Sequence, residues 1–368
     1  MPMDREQQIL TLIRQNSFIS QQEIADHIGI SRSAVAGYIA ALTRKGIIIG
    51  RAYVTAEAGS VICIGGANMD SKVTGKQPLR LATSNPVKVT ESCGGVARNI
   101  AANLASLSSH VLLLTIVGDD KAGAAVLDET KKLGVDVSLS IVHSDETTGC
   151  YTALLDEAGE MFLAFASMDI YDRFTPELLQ ERWPRIAPSK LVIADTNLPA
   201  DCLEHLILRC QQEGIPLFID PVSSEKAKKL PHQLHGVTAI FPNLEEAYQI
   251  ANLPASPNLN QDLELISQTI LERGVQHVFI TLGKQGVHYT GEEGRASLPS
   301  IPSKVVEVTG AGDAFVAGVA HGVLNSQSFM DACKLGLVAA HITIQTSRSA
   351  ASPLTGPLLQ QTMKELSL

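Results

Sequence analysis

The chain has 368 residues, 45% of them apolar, with a mean hydropathy slightly above zero; it can bury a sizeable core, which argues against general disorder and for more than one domain. The formal charge of −9 is uneven: residues 1–57 hold six Lys/Arg against five Asp/Glu, the remainder 23 against 33, so the body is a poor nucleic-acid surface. No aliphatic run nears the length of a bilayer span, no apolar signal core follows Met1, and the six cysteines form no Cys-x-x-Cys pair. These features predict a cytoplasmic protein without a membrane partner, with buried reduced thiols in place of a zinc site or disulfide framework.

Three helices are predicted at the start of the chain. Over residues 5–15, Ile9, Leu12 and Ile13 share one side. Ser20 with Glu23 three residues on has capping-box spacing, opening a second helix that runs to about His27 and stops at Gly29. Ser31 caps a third, over residues 32–45, with Val35, Ile39 and Leu42 at helical spacing. Strand-like runs follow at 47–49 and 52–55. The stretch Gln22-Glu-Ile-Ala-Asp-His-Ile-Gly-Ile-Ser-Arg-Ser-Ala-Val resembles the helix-turn-helix of bacterial winged-helix regulators, with the small Ala25, the turn Gly29 and the apolar Val35 where such a pair needs them. The resemblance implies that Ser31, Arg32 and Ser33 start a recognition helix in a major groove, that Arg51 lies in the wing near phosphates, and that a homodimer binds operator DNA. The net charge of this region is low for a DNA binder, so a module used only for dimerisation or packing stands as the alternative. The expected domain occupies residues 1–56, with a linker at 57–60.

From Val61 the chain alternates apolar strands, at 61–64, 111–117, 191–194, 217–219, 239–241 and 278–281, with helices such as 96–107, 203–212 and 244–251. This predicts an α/β body over 61–368, a mostly parallel sheet flanked by helices, with ligands bound beyond the carboxyl ends of its strands. Period-2 stretches within residues 71–92 and 147–167 read as a small β lid.

In Val308-Thr-Gly-Ala-Gly-Asp-Ala-Phe-Val-Ala-Gly318, Gly310 and Gly312 permit a tight path in front of a helix of small residues, whose N-terminal N–H groups can cradle an anion without a lysine. Asp313, in the first turn, is placed to take a proton from an alcohol attacking a phosphate. Alone, the segment could be merely a capped helix. It is accompanied by Gly65-Gly-Ala-Asn-Met-Asp70, Gly94-Gly-Val-Ala-Arg-Asn-Ile-Ala101, Pro242-Asn-Leu-Glu-Glu246 and Thr281-Leu-Gly-Lys-Gln-Gly286. In this order the five motifs resemble those of the ribokinase-like (PfkB) kinases, over about residues 61–355.

The resemblance implies that ATP is the phosphoryl donor, that Asp313 is the general base, and that Gly310, Ala311 and Gly312 form an anion hole. It further implies that Asp70, helped by Asn68, takes sugar hydroxyls, and that Gly95 and Asn99 contact the same sugar. Asn243 and Glu246 would organise Mg2+ through its waters, and Thr281, Gly283 and Gly286 would line the nucleotide groove. Val96 stands where ribokinases have a Lys, which removes a ribose-type contact. Glu307 replaces the Asp that helps frame a monovalent-cation site, which puts K+ activation in doubt.

Ser84-Asn-Pro86, Leu154-Leu-Asp-Glu-Ala-Gly-Glu-Met161, Val192-Ile-Ala-Asp-Thr-Asn197 and Phe218-Ile-Asp-Pro-Val-Ser223 resemble bacterial pseudouridine kinases more than ribokinase or fructokinase. The implied reaction is phosphorylation of a nucleoside 5′-hydroxyl. Ser84, Asn85, Tyr151 and Met168–Asp169 are candidates for the slot that takes the base. Another sugar or nucleoside kinase is the first alternative. A transcriptional regulator with a kinase-like sensor is the second; it would need neither the base Asp313 nor the metal organiser Glu246.

Overall fold

The structure, a computed structural model, describes residues 4–16, 19–49, 59–254, 259–346 and 354–366. Its first three helices are α1 (Arg5–Gln15), α2 (Gln21–Ile28) and α3 (Arg32–Arg44). Their apolar faces meet around Ile9, Ile13, Ile24, Val35, Ile39 and Leu42, a core separate from those of the body. The capping box expected at α2 forms: Ser20 Oγ accepts the Glu23 N–H at 3.2 Å and Glu23 Oε2 accepts the Ser20 N–H at 2.7 Å. Gly29 ends the helix in the left-handed region at φ +68°, which glycine adopts without strain. Of the strand-like run 47–49 only Ile48 makes a β-bridge. Residues 52–55, and with them Arg51, lie outside the described residues.

The body then runs β1 (Val61–Ile64), β2 (Asn68–Gly75), β3 (Val87–Gly94), α4 (Val96–Ser106), β4 (Val111–Leu114), β5 (Ile116–Gly118), α5 (Lys121–Lys132), β6 (Ile141–His143), β7 (Cys150–Leu155) and β8 (Met161–Ser167). After a 3-10 turn (Asp169–Arg173) come α6 (Pro176–Ile186), β9 (Leu191–Asp195), α7 (Ala200–Glu213), β10 (Leu217–Asp220), α8 (Ser224–Ala227), β11 (Ala239–Ile240), α9 (Leu244–Ala251), α10 (Leu259–Glu272) and β12 (His277–Thr281). The chain finishes with β13 (Val287–Gly291), β14 (Gly294–Leu298), α11 (Ala311–Leu324), α12 (Phe329–Thr343) and α13 (Gly356–Glu365).

Eight strands form the main sheet in the order β14-β13-β12-β11-β10-β9-β1-β4, parallel except for the hairpin β13–β14. Alternate residues of the parallel strands point to opposite faces. Ile62, Ile64, Val192, Ala194, Leu217 and Ile219 pack under α6, α7, α9 and α10, while Val61, Cys63, Leu191, Ile193 and Phe218 pack under α4, α11 and α12. Both faces are covered, which is why these strands read as continuous apolar runs and not as alternating ones.

Two features differ from the sequence expectation. The run 111–117 is two strands, not one: the Thr115 carbonyl accepts the Ile141 N–H at 2.8 Å, and β5 leaves the main sheet to pair in parallel with β6. The four remaining strands make a second sheet, β3-β2-β7-β8, rooted at the carboxyl end of β1; β2 and β3 reach beyond the expected 71–92, while β7 and β8 lie within the expected 147–167. All six cysteines are free; Cys63, Cys202, Cys210 and Cys333 are buried, and Cys93 and Cys150 half-buried.

Candidate active site

β1 ends at Gly65-Gly66-Ala67, and the chain turns outward into β2. That path carries Asn68 and Asp70 past the carboxyl end of the main sheet. Asn68 Nδ2 donates to Asp70 Oδ1 at 2.6 Å. Opposite, a Cβ on Gly94 would lie 2.0 Å from Asp70 Oδ2, so the bare backbone there makes room for the carboxylate. Gly95 follows at φ +102° and opens α4; only glycine takes that conformation without strain. Burial pushes the Asp70 carboxyl above its ordinary range, against the Asn68 hydrogen bond and the nearby Arg98 charge.

The first turn of α11 closes the site from the other side. Gly310 caps the helix at φ +82°, and Ala311, Gly312 and Asp313 follow in its first turn, N–H groups leading. Asp313 is 9% exposed, and its Oδ2 accepts from Asn99 Nδ2 at 2.8 Å. The Asn99 amide expected on a sugar is therefore turned to the carboxylate of Asp313. Arg98 explains its orientation: the buried guanidinium, tied to Thr130 Oγ1 and the Cys93 carbonyl, donates to Asn99 Oδ1 at 3.2 Å and leaves Nδ2 pointing to Asp313. Burial is the main force on Asp313, and the charges of Asp195 and Asp70 add to it. Together they push its carboxyl up to about 7, against the Asn99 hydrogen bond. Such a group is ionised for much of the time at neutral pH yet basic enough to take a proton.

Ahead of the loop, Glu307 Oε1 accepts from the Val308 and Thr309 N–H groups and the Thr309 hydroxyl, while Oε2 takes Lys72 Nζ at 3.0 Å. Lys72 lies on β2, so this ion pair joins the small sheet to the phosphate loop. The Lys72 ammonium lowers the Glu307 carboxyl, the largest of several such influences.

Along the sheet edge, Asn243 caps α9 and forms a reciprocal box with Glu246: Asn243 Oδ1 accepts the Glu246 N–H, while Glu246 accepts from the Asn243 N–H at 2.9 Å and from Nδ2 at 2.7 Å. Glu246 is 5% exposed, and burial raises its carboxyl. Thr281 bridges to Asn243, its N–H donating to the Pro242 carbonyl at 2.9 Å. Gly283 and Gly286 frame the turn after β12, both at positive φ. Asp220, at the end of β10, was not singled out from the sequence. Burial and then the charges of Asp313 and Glu246 push its carboxyl well above the ordinary range. Among the described residues no three His, Cys, Asp or Glu side chains could hold a metal directly. Asp220 feels the charges of both Glu246 and Asp313, and carboxylates so gathered fit a hydrated divalent cation, since Mg2+ keeps several waters and is shared with phosphate oxygens.

The candidate base slot divides. Tyr151 lies beside Asp70 on the neighbouring strand, on the same face, and Met168 Sδ lies close to Gly149 near Asn68. Asp169 is exposed at the start of the 3-10 turn. Ser84 and Asn85 are not brought to the centre. They lie past the β2–β3 row that pairs Gly75 with Val87, five rows from Asp70, roughly 17 Å at strand rise. Asn85 spends its amide on its own loop, bonding the Arg80 N–H and the carbonyls of Arg80 and Thr83. At the other end of the chain Ser31, Arg32 and Ser33 are exposed at the start of α3, where Ser31 Oγ accepts the Ala34 N–H at 3.1 Å.

A parallel α/β sheet with a glycine-rich helix start, a carboxylate poised at its first turn and a second acidic group on the strand that leaves the sheet beside it is the apparatus of a phosphotransferase with an alcohol acceptor. The sequence model of the pfkB family carbohydrate kinases matches residues 58–355, and that of winged helix-turn-helix DNA-binding domains matches residues 4–49. The chain belongs to the pfkB family of carbohydrate kinases and carries an N-terminal winged helix-turn-helix domain. It is 33% identical to the uncharacterized sugar kinase YeiI of Escherichia coli (strain K12), over 97% of this chain and 96% of that protein. It is 32% identical to the pseudouridine kinase of the same organism, over 76% of this chain and 88% of that protein. A carbohydrate kinase from Agrobacterium tumefaciens superposes with a TM-score of 0.73 at 28% identity, covering 83% of this chain and 97% of that one. The ribokinase of Arabidopsis thaliana complexed with ribose and ATP has a TM-score of 0.70 at 19% identity, covers 84% of this chain and 99% of its own, and shares the fold.

Proposed function

We propose that the chain transfers the γ-phosphate of ATP to the 5′-hydroxyl of pseudouridine. The observation that carries the phosphoryl-transfer centre is the buried Asp313 at the N-terminus of α11, held at 2.8 Å by Asn99 and titrating near 7. In this reading Asp313 takes the proton of the attacking hydroxyl. The N–H groups of Gly310, Ala311 and Gly312 receive the charge that develops on the transferring phosphoryl. Asp70 and Asn68 hold sugar hydroxyls, the backbone of Gly95 contacts the same sugar, and Asn99 orients the base. Glu246, with Asn243 and Asp220 beside it, would hold Mg2+ through its waters; the ion supplies neutralisation of phosphate charge. Thr281, Gly283 and Gly286 line the nucleotide groove. With Lys72 already set on Glu307, a monovalent cation is not required by this account.

The choice of pseudouridine rests on the identity to a pseudouridine kinase over 88% of that protein, and on the placement of Tyr151 and Met168 beside Asp70. One observation favours a sugar instead: the match to YeiI, named as a sugar kinase, runs through both domains. A panel of nucleosides and free sugars, assayed for ATP-dependent phosphorylation, decides. The expected result is a kcat/KM for pseudouridine well above those for uridine, ribose and fructose, because a site that hydrogen-bonds the extra ring N–H rejects the analogue lacking it. A free pentose or hexose as best substrate would remove pseudouridine and leave the family.

The proposal includes a domain division at residues 1–56 and 61–368, and operator binding through the start of α3, with Arg32 as the side chain that reads the groove. It includes cytoplasmic location, where ATP and a chromosome are both at hand. In this reading any coupling runs through the close approach of Gly46, just past α3, to α6, where a Cβ on Gly46 would lie 2.3 Å from the Pro184 carbonyl oxygen. A homodimer is part of the reading as well, supported by the exposed apolar outer face of the small sheet.

A further inference from the structure

β9 ends in Asp195, a carboxylate with 0% exposure where β1, β9 and α4 converge. Its Oδ2 accepts the backbone N–H of Gly66 at 2.8 Å and that of Ala97 at 2.9 Å. Its Oδ1 accepts the backbone N–H and the side-chain amide of Asn197, both at 2.9 Å. Every partner is a donor. A proton on either oxygen would meet another hydrogen, so the bonds select the carboxylate, although burial pushes the group upward.

The partners decide what this charge can do. Gly66 precedes Asn68 and Asp70 by a few residues; Ala97 stands between Gly95 and Asn99. One carboxylate thus joins the two segments that face the acceptor. Their approach is tight: a Cβ on Gly65 would lie 2.3 Å from Asp195 Oδ1, and one on Gly66 2.4 Å from Asn197 Nδ2. From the opposite side the buried Tyr171 hydroxyl accepts the Ala67 N–H and donates to the Ala67 carbonyl, both at 2.8 Å.

We propose that Asp195 is a positioning residue of the phosphoryl-transfer site, tying the end of β1 to the first turn of α4 and so setting where Asp70 and Asn99 stand relative to Asp313. The proposal rests on the kinase centre and not on the identity of the acceptor. Asp195 is also one of the charges that Asp313 feels. The others around Asp313 are Asp70 on β2 and Asp220 on β10, with the neutral Asn99 and the Arg98 guanidinium behind it on α4; Lys226 of α8 faces Asp195.

Asp195→Asn keeps the shape but sets an amide against N–H donors. It is tested in the full chain with ATP and pseudouridine, or with whichever nucleoside or sugar the wild-type protein phosphorylates if pseudouridine is not one. The acceptor KM should rise by about tenfold or more, with the ATP KM and acceptor-independent ATP hydrolysis changed by less than about twofold, because the misplacement is confined to the acceptor side. An unchanged acceptor KM in a variant with wild-type circular dichroism overturns the proposal, as does a parallel rise of both KM values. If Asp195→Asn does not fold, Gly66→Ala keeps the charge and sets a methyl against Asn197. It must raise the acceptor KM alone, and failure to do so overturns the proposal equally.

Discussion

Asp313 sits among like charges: Asp70 and Asp195 both raise its carboxyl, and the Asn99 amide is the one contact that lowers it. The consequence has a definite sign. The base must be ionised to accept a proton, so kcat/KM should be flat above its titration near 7 and fall by about tenfold per pH unit below it. Asp313→Asn keeps the Asn99 neighbour and the shape but cannot take the proton. Its turnover should drop by roughly 10²–10⁴-fold, the range for loss of a general base, with ATP affinity nearly intact. Rapid-quench or coupled assays across pH 5.5–8.5, beside equilibrium ATP binding, check both. Turnover within a few-fold of wild type would remove Asp313 from the role. Asp313 stood out in the sequence because its glycine-rich helix start comes with four further motifs in one order; alone, the segment could be merely a capped helix. Asp195, Asp220, Arg98 and Tyr171 did not. Asp195 and Tyr171 act through partners far away in sequence, Gly66 and Ala67, and no local spacing marks such a pairing.

The small sheet presents two different faces. Register puts Asp70, Lys72 and Tyr151 on the one turned to the site, and Val73, Val89, Leu154, Leu163 and Phe165 on the other. On that outer face Val89 is 53%, Leu163 47% and Phe165 56% exposed. Contiguous large apolar side chains on an edge strand are a poor surface to leave in water, and in this reading a second copy covers them. Phe165→Glu should therefore turn the dimer into a monomer in sedimentation equilibrium while leaving circular dichroism unchanged; a wild-type protein that sediments as a monomer would remove the interface outright. The period-2 pattern announced these strands but not their roles. A strand exposed on one face and one exposed on both, as β8 is, read alike in sequence. The split of 111–117 was hidden for a related reason, since both halves are fully buried and apolar and only the Thr115–Ile141 hydrogen bond separates them.

At the scale of the whole chain, a winged helix-turn-helix domain precedes a kinase body, and among the described residues their cores are distinct. All five kinase motifs lie beyond Val61, so deletion of residues 1–57 should leave kcat/KM within about twofold of the full chain, as expected for a domain with its own core. The N-terminal domain carries the thinner local signal. Ser31 is committed to capping α3, and Ser33 Oγ lies 2.9 Å from Ser31 Oγ, so neither hydroxyl is wholly available to a base edge. Arg32, exposed beside them, is then the residue expected to read the groove. Two copies on one duplex would place their recognition helices about one helical turn apart, on a near-palindromic site. With only six Lys/Arg in residues 1–57, few phosphates are neutralised, so the affinity should be modest and the slope of log K against log salt shallow, about −0.9 for each phosphate contacted. The check is a selection of genome fragments on the full-length protein, with and without pseudouridine, followed by titrations at several salt concentrations. Wild-type protein should enrich a palindromic fragment, Arg32→Ala should weaken its binding to that fragment more than to random DNA, and the nucleoside should change the affinity if the Gly46–Pro184 contact transmits occupancy. A selection that enriches nothing under either condition would leave the domain as a packing or dimerisation element. An Arg32→Ala variant that weakens all sequences equally would move Arg32 from the base edges to the phosphate backbone.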